Sequence, residues 1–184
     1  MHTLSSPIIP ADAVDDAAAY LRLDGEDELL LISGLIASAI RQCEAFCATI
    51  LLRRAVVEQL RISGDWQLLG AVPVRSITSV AGLMPDGSPA AIGITRYALD
   101  IDPGGGGWFR VIEAGSGIYA RVTYQAGLAE TWADIDAPLR QGIIRLVAYL
   151  HANRDSSDDT GPPAAVAALW RPYRRMRLTS RRVI

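Results

Sequence analysis

The sequence predicts an α+β fold: a helical body, with two N-terminal helices and a third long helix after residue 135, an inserted β-rich middle region, and an extended or helical C-terminal arm. Three observations predict it. Apolar residues recur at three-and-four spacing in separate stretches, as on the buried face of a helix. Between residues 50 and 127, short β-branched and aromatic runs alternate with turn signals. After residue 154, a Ser, Asp, Gly and Pro run separates this body from an arginine-rich ending. With 184 residues, half of them hydrophobic, the chain can bury a substantial core.

The first helix is expected over 11–22. Pro10 opens it, and Asp12, Asp15 and Asp16 lie near its positive N-terminal end, where carboxylates are favoured. A second helix over 26–48 carries the stripe Leu29, Ile32, Ile36, Ile40, Cys43 and Cys47, widened by Leu30, Leu31, Leu35 and Phe46. A helix so apolar must be covered on more than one side, by its own domain or by a neighbouring subunit. Its longest apolar run, Leu29 to Ile40, is broken by Ser33, Gly34 and Ser38 and is too short to span a bilayer. Strands are expected near 54–63, 66–70, 75–83, 91–99, 108–113 and 118–124. The third helix, over 136–153, follows Asp134 and Asp136 with Pro138 in its first turn and buries Leu139, Ile143, Leu146, Val147 and Leu150. The domain reading is therefore a body over 1–154, a flexible linker over 155–163 and a basic arm over 164–184.

Charge divides the chain in the same way. The first 170 residues hold 12 arginines against 20 carboxylates, a net −8, while the last 14 hold six arginines and no acid. There is no lysine. Such asymmetry speaks of partners rather than of fold. In the ending, Trp170, Pro172, Tyr173, Met176 and Leu178 interleave with the arginines, whereas a merely solvating tail is poor in such groups. Arg, Trp and Tyr are the side chains that most often anchor interfaces.

No constellation for catalysis is legible. The glycine run in "DPGGGGW", residues 102–108, lacks the Gly-Lys-Ser/Thr of a phosphate loop and runs into a strand rather than a helix, so it reads as a hairpin tip, as does 115–117. His151, late in the third helix, reads as a capping or surface residue. The acidic clusters 24–28 and 155–159 sit at turns and serve capping and solvation. Cys43 and Cys47, four apart, read as two core residues, since no further Cys or nearby His completes a metal set. The expectation is a protein that is not an enzyme and uses no cofactor or metal. The N-terminus has neither a basic leader nor a signal-length apolar run, which reads as a soluble cytoplasmic chain with no membrane partner.

Several stretches together resemble the head-tail connector (adaptor) proteins of long-tailed double-stranded DNA phages and gene transfer agents. The first is a short helix ending in Leu21, Arg22, Leu23 and Asp24, followed by acids and a long helix ending in Glu44, Ala45 and Phe46. The second is a strand ending in Tyr124-Gln125-Ala126-Gly127, then Pro138-Leu139-Arg140-Gln141 opening a helix that closes at Asn153-Arg154. The third is Leu169 through Pro172, Tyr173 and Arg174. The resemblance covers residues 11–54 and 121–178; "CATIL" at 47–51 and His151-Ala152 depart from the family's usual residues.

The resemblance implies a non-enzymatic virion structural protein of the particle neck, assembled in the bacterial cytoplasm. It implies a homo-oligomeric ring, commonly of twelve copies, between the portal and a tail-side connector or terminator protein. Double-stranded DNA would pass through the lumen without sequence-specific binding, and the C-terminal arm would reach the portal. The docking residues expected on that arm are Leu169, Trp170, Arg171, Tyr173, Arg174, Arg175, Arg177, Arg181 and Arg182. The alternative is a nucleic-acid-binding protein whose arginine and aromatic tail grips phosphates and stacks on bases.

Overall fold

The computed structural model describes residues 2–5, 9–23, 25–113, 118–153 and 161–175. It forms two compact units, one of Met1–Ile8 with Ile50–Thr131 and one of Ile9–Thr49 with Trp132–Ile184. The chain is mixed α+β, and the two kinds of structure are sorted between the units.

The first unit holds the strands β1 (His2–Leu4), β2 (Arg54–Arg61), β3 (Gln67–Leu68), β4 (Val74–Leu83), β5 (Pro89–Ala91), β6 (Tyr97–Ile101), β7 (Gly107–Val111) and β8 (Tyr119–Ala126). They make two antiparallel sheets, ordered β1-β2-β8-β4-β5 and β3-β7-β6. Period-two alternation decides what each strand buries. On β8, Ala120, Val122, Tyr124 and Ala126 face inward while Tyr119 and Arg121 face solvent. They join Val56, Leu69, Phe109 and Val111 in one core.

Two differences from the expected strands have local causes. The run 91–99 is not one strand: a 3-10 turn at Ile94–Arg96 reverses the chain, so β5 pairs with β4 and β6 pairs with β7. β1 was not expected from three residues, and it forms because β2 offers a free edge, with His2 opposite Glu58 and Leu4 opposite Val56.

The glycine run closes the β6–β7 hairpin. Asp102 accepts the Gly106 N–H at 2.9 Å and the Trp108 indole N–H at 3.0 Å, and the Val74 N–H donates to the Gly105 carbonyl at 2.7 Å. Gly105 has φ +77°, and a Cβ there would stand 2.5 Å from Pro73 Cβ, so the tip must be glycine to lie this close. Its polar groups are spent on the hairpin itself.

Inside this unit, Glu58 is a buried carboxylate. It accepts the Gly70 N–H at 2.7 Å and the Tyr124 hydroxyl at 2.8 Å, and that hydroxyl accepts the Ala71 N–H at 3.0 Å. A buried charge persists only when its lone pairs are satisfied.

The second unit holds the helices α1 (Ala11–Leu21), α2 (Glu26–Cys47), α3 (Ala137–Ala152) and α4 (Ala164–Trp170). The first three stand within a residue or two of their expected bounds. α1 buries only small side chains, Ala13, Ala17 and Ala18, which lets its neighbours approach closely, and Asp16 accepts the Trp132 indole N–H at 2.8 Å. α1 ends at Arg22 in the left-handed region, φ 58°. Over Glu28–Cys47, α2 is long and apolar enough to cross a membrane by length and composition. Its stripe Ile32, Ile36, Ile40, Cys43 and Cys47 is nevertheless buried within the protein, against a partner stripe on α3 of Leu139, Ile143, Leu146 and Val147.

Replacing Tyr124 by Phe removes one of two donors to the buried Glu58 carboxylate and the only printed acceptor of the Ala71 N–H. We expect it to cost about 1–3 kcal/mol of stability, read as a lower urea midpoint with an unchanged slope.

Candidate interaction surface at the C-terminal helix

The residues expected to dock a partner fall into three sets in the structure. Trp170 is fully buried, Leu169, Tyr173 and Arg175 are half-buried, and Arg171 and Arg174 are exposed. Arg177, Arg181 and Arg182 lie outside the described residues. The sequence reading took 164–184 as one arm beyond a hinge; the structure packs 164–175 onto the helical unit.

The reason is a knob and a notch. α4 has apolar groups at Val166 and Trp170, four apart, and both are buried. The indole of Trp170 lies over Gly142 in the middle of α3, where an added Cβ would sit 2.1 Å from the indole nitrogen. Any other residue at 142 would displace the ring. The indole N–H donates to the Leu139 carbonyl at 3.3 Å, so the one polar atom of the buried ring is satisfied. On its other side the ring meets Phe46 of α2, with centroids 5.9 Å apart and planes tilted by 56°. Tilted packing at this distance is a favourable aromatic geometry.

The end of α2 completes the receptor. Ala48 adopts φ 52° and the Thr49 N–H donates to the Glu44 carbonyl at 3.1 Å, the six-to-one bond of a Schellman cap. Terminal carbonyls of a helix lack intrahelical donors. The Cys47 carbonyl finds one in the Arg175 backbone N–H, at 2.9 Å, and the Cys47 thiol points to the Trp170 carbonyl at 3.8 Å. The Arg174 guanidinium stands over the Phe46 ring at 5.8 Å, a cation–π arrangement. Tyr173 hydrogen-bonds Asp136, at the start of α3; burial first, and then the Asp136 charge and bond, push the Tyr173 phenol above its ordinary pKa. Residues 170–175 are thus tied at five points, and the chain leaves the helical unit at 176 with its remaining arginines still to come.

The sequence reading missed the receptor: Phe46, Cys47, Asp136 and Gly142. Gly142 carried a signal, because glycine in a helix interior costs about 1 kcal/mol relative to alanine and so asks for a packing reason. Cys43 and Cys47 are buried free thiols, as read, and a hydrogen bond to Cys47 together with burial pushes the Cys43 thiol well up. Among the described residues, no group of three or more His, Cys, Asp or Glu is placed to hold a metal ion.

No protein-family model and no curated protein sequence matches the chain. Solved structures do. A component of the neck of an empty gene transfer agent particle, computed with C6 symmetry, superposes with a TM-score of 0.74 at 21% identity, over 99% of each chain. A chain from the virion of a native gene transfer agent particle gives 0.74 at 21% identity over 98% of each. One from the neck of a native particle, computed with C12 symmetry, gives 0.71 at 22% identity over 98% of this chain and 99% of that one. The fold is that of these neck-particle proteins. The match is end to end, so α4 and its seat belong to the neck-protein fold as much as the sheets do. These neighbours are components of structural assemblies rather than enzymes.

Gly142→Ala should unseat α4 without touching the β unit. Amide hydrogen exchange should rise at least about tenfold over 164–170, the equivalent of ~1.4 kcal/mol of lost protection, with strands β2, β4 and β8 unchanged.

Proposed function

We propose that this chain is a structural head-tail adaptor, forming a ring in the neck of a phage or phage-like particle between the portal and a tail-side connector. The end-to-end fold match to neck components carries the reading. The lumen passes double-stranded DNA without reading it; a body with net −8 repels phosphates and keeps the genome free to slide. The particle is built in the bacterial cytoplasm, and the mature protein resides in the neck.

Portal docking falls to the exposed cations around and beyond the seated helix: Arg171 and Arg174 at its root, then Arg177, Arg181 and Arg182. Trp170 is not a partner anchor in this reading. It holds the root of the arm in place, so that Leu169, Tyr173 and Arg175 present a fixed surface. Seating the root before docking lowers the ordering cost that a fully free arm would meet on binding.

The test compares the full chain with one ending at Arg175, which keeps the Trp170 knob, for binding to the purified portal ring at low and high salt. The full chain should bind at least about tenfold more tightly, ~1.4 kcal/mol, and the difference should shrink as salt screens the arginines. Equal binding would move the contact to the body. Absence of portal binding by both, with tight salt-sensitive binding to duplex DNA, would replace the adaptor by the nucleic-acid-binding alternative.

A further inference from the structure

The two most exposed large apolar side chains of the described chain lie on different units. Leu30, on the first turns of α2, is 83% exposed, with Leu31 beside it at 40%. Ile94, at the tip of the β unit, is 80% exposed. Isolated exposed aliphatics need no explanation, but these belong to surfaces of matching form.

Around Ile94 the surface is a hole. A cavity of about 170 Å³ opens there, lined chiefly by Ile62, Leu83, Met84, Ile92 and Val111. Aliphatic cavities of about 150 Å³ accept a benzene-sized group, so this one has room for an aliphatic side chain. Ile112 and Ile118, 57% and 54% exposed, continue the apolar surface: the Ile62 N–H bonds to the Ile118 carbonyl, and the Ile112 N–H to the Arg96 carbonyl. Arg96 stands at the rim, half-exposed, and holds Glu113 only loosely at 3.6 Å. Arg61, next to Ile62, is a second exposed cation.

Around Leu30 the surface is a knob with the opposite charge. The residues before it are Glu26, Asp27 and Glu28, and the solvent side of the following turns carries Gly34 and Ser38, which leave the leucines standing proud. A cyclic assembly is closed by heterologous contacts, in which two different patches of the same chain meet head to tail. The neighbours with this fold come from assemblies computed with C6 and C12 symmetry.

We propose that Leu30 and Leu31 of one copy enter the Ile62–Leu83–Met84–Ile92 cavity of the next copy, with Glu26 to Glu28 set against Arg96 and Arg61, and that this is the repeating contact of the ring. The inference rests on the adaptor reading for its ring, and it names the partner as a second copy of this chain.

Sedimentation equilibrium of the full chain with Leu30→Glu and Ile94→Glu tests it. Both positions are exposed, so thermal melting should match the wild type and exclude misfolding as a cause. Wild type should assemble, and each variant, with one patch spoiled, should lose assembly and sediment as a monomer. An equal mixture should give heterodimers and nothing larger, because Leu30 of the Ile94→Glu copy still fits the intact cavity of the Leu30→Glu copy while the other junction sets Glu against Glu. Assembly by either variant alone, a mixture that stays monomeric, or a wild type that stays monomeric would each overturn the contact. The last result would leave the adaptor reading to the portal-binding experiment, where a chain that docks as a monomer keeps that reading and loses this one.

Discussion

The seat of Trp170 on Gly142 is the contact on which the C-terminal half of the helical unit depends. α4 has only seven residues, too few to be stable as an isolated helix, and its alanines supply little apolar area. Almost all of what holds it comes from one indole between α3 and Phe46. Large-to-small changes at a site of this kind cost about 3–5 kcal/mol, comparable to a large part of a domain's net stability. The seat also fixes the chain direction beyond it. With the Arg175 N–H on the Cys47 carbonyl, the terminal segment departs from the end of α2 instead of from the linker.

The β unit is organised by a polar constraint instead. Glu58, Tyr124 and the 70–71 backbone form a closed set in which each buried donor meets an acceptor. The set joins the middle of β2 and β8 to the segment that leads into β4, while the glycine hairpin closes on Pro73 and Val74 at the end of that same segment. A carboxylate on an inward strand position looks like an error of patterning in the sequence; in the fold it is what holds a non-regular segment against a sheet.

Much of the fold was legible because its long elements follow simple periods. α1, α2 and α3 came from three-and-four spacing and end signals, and β4, β7 and β8 from β-branched runs between turns. What failed was non-local. β1 has three residues and exists only because β2, more than fifty residues away, offers an edge. The 91–99 run holds enough strand formers for one strand, and only the pairing partners divide it. Trp170 was read by its company: among arginines and a tyrosine it resembles an interface anchor, and nothing in its own neighbourhood shows that its partner is a glycine 28 positions earlier. Leu169, Arg171 and Arg174 could be read from the sequence as a group, but their division into a seated root and outward cations required Gly142 and Phe46 to be in place.

Charge sets a condition on any assembly of this chain. Bodies of net −8 repel one another at close range, and a ring brings many of them together, so electrostatics of the bodies alone opposes closure. Two things can offset that. Apolar burial between copies is insensitive to the sign of net charge, and it can be supplied by side chains already exposed, such as Leu30 and Ile94, without unfolding anything. The cationic ending then acts at a different place and scale, reaching from a root fixed by Trp170 toward an acidic partner within about 10 Å, the screening distance at moderate salt. The separation of roles follows from the layout of the chain: its arginine excess lies in the last 14 residues, after the last residue of α4 has been locked down.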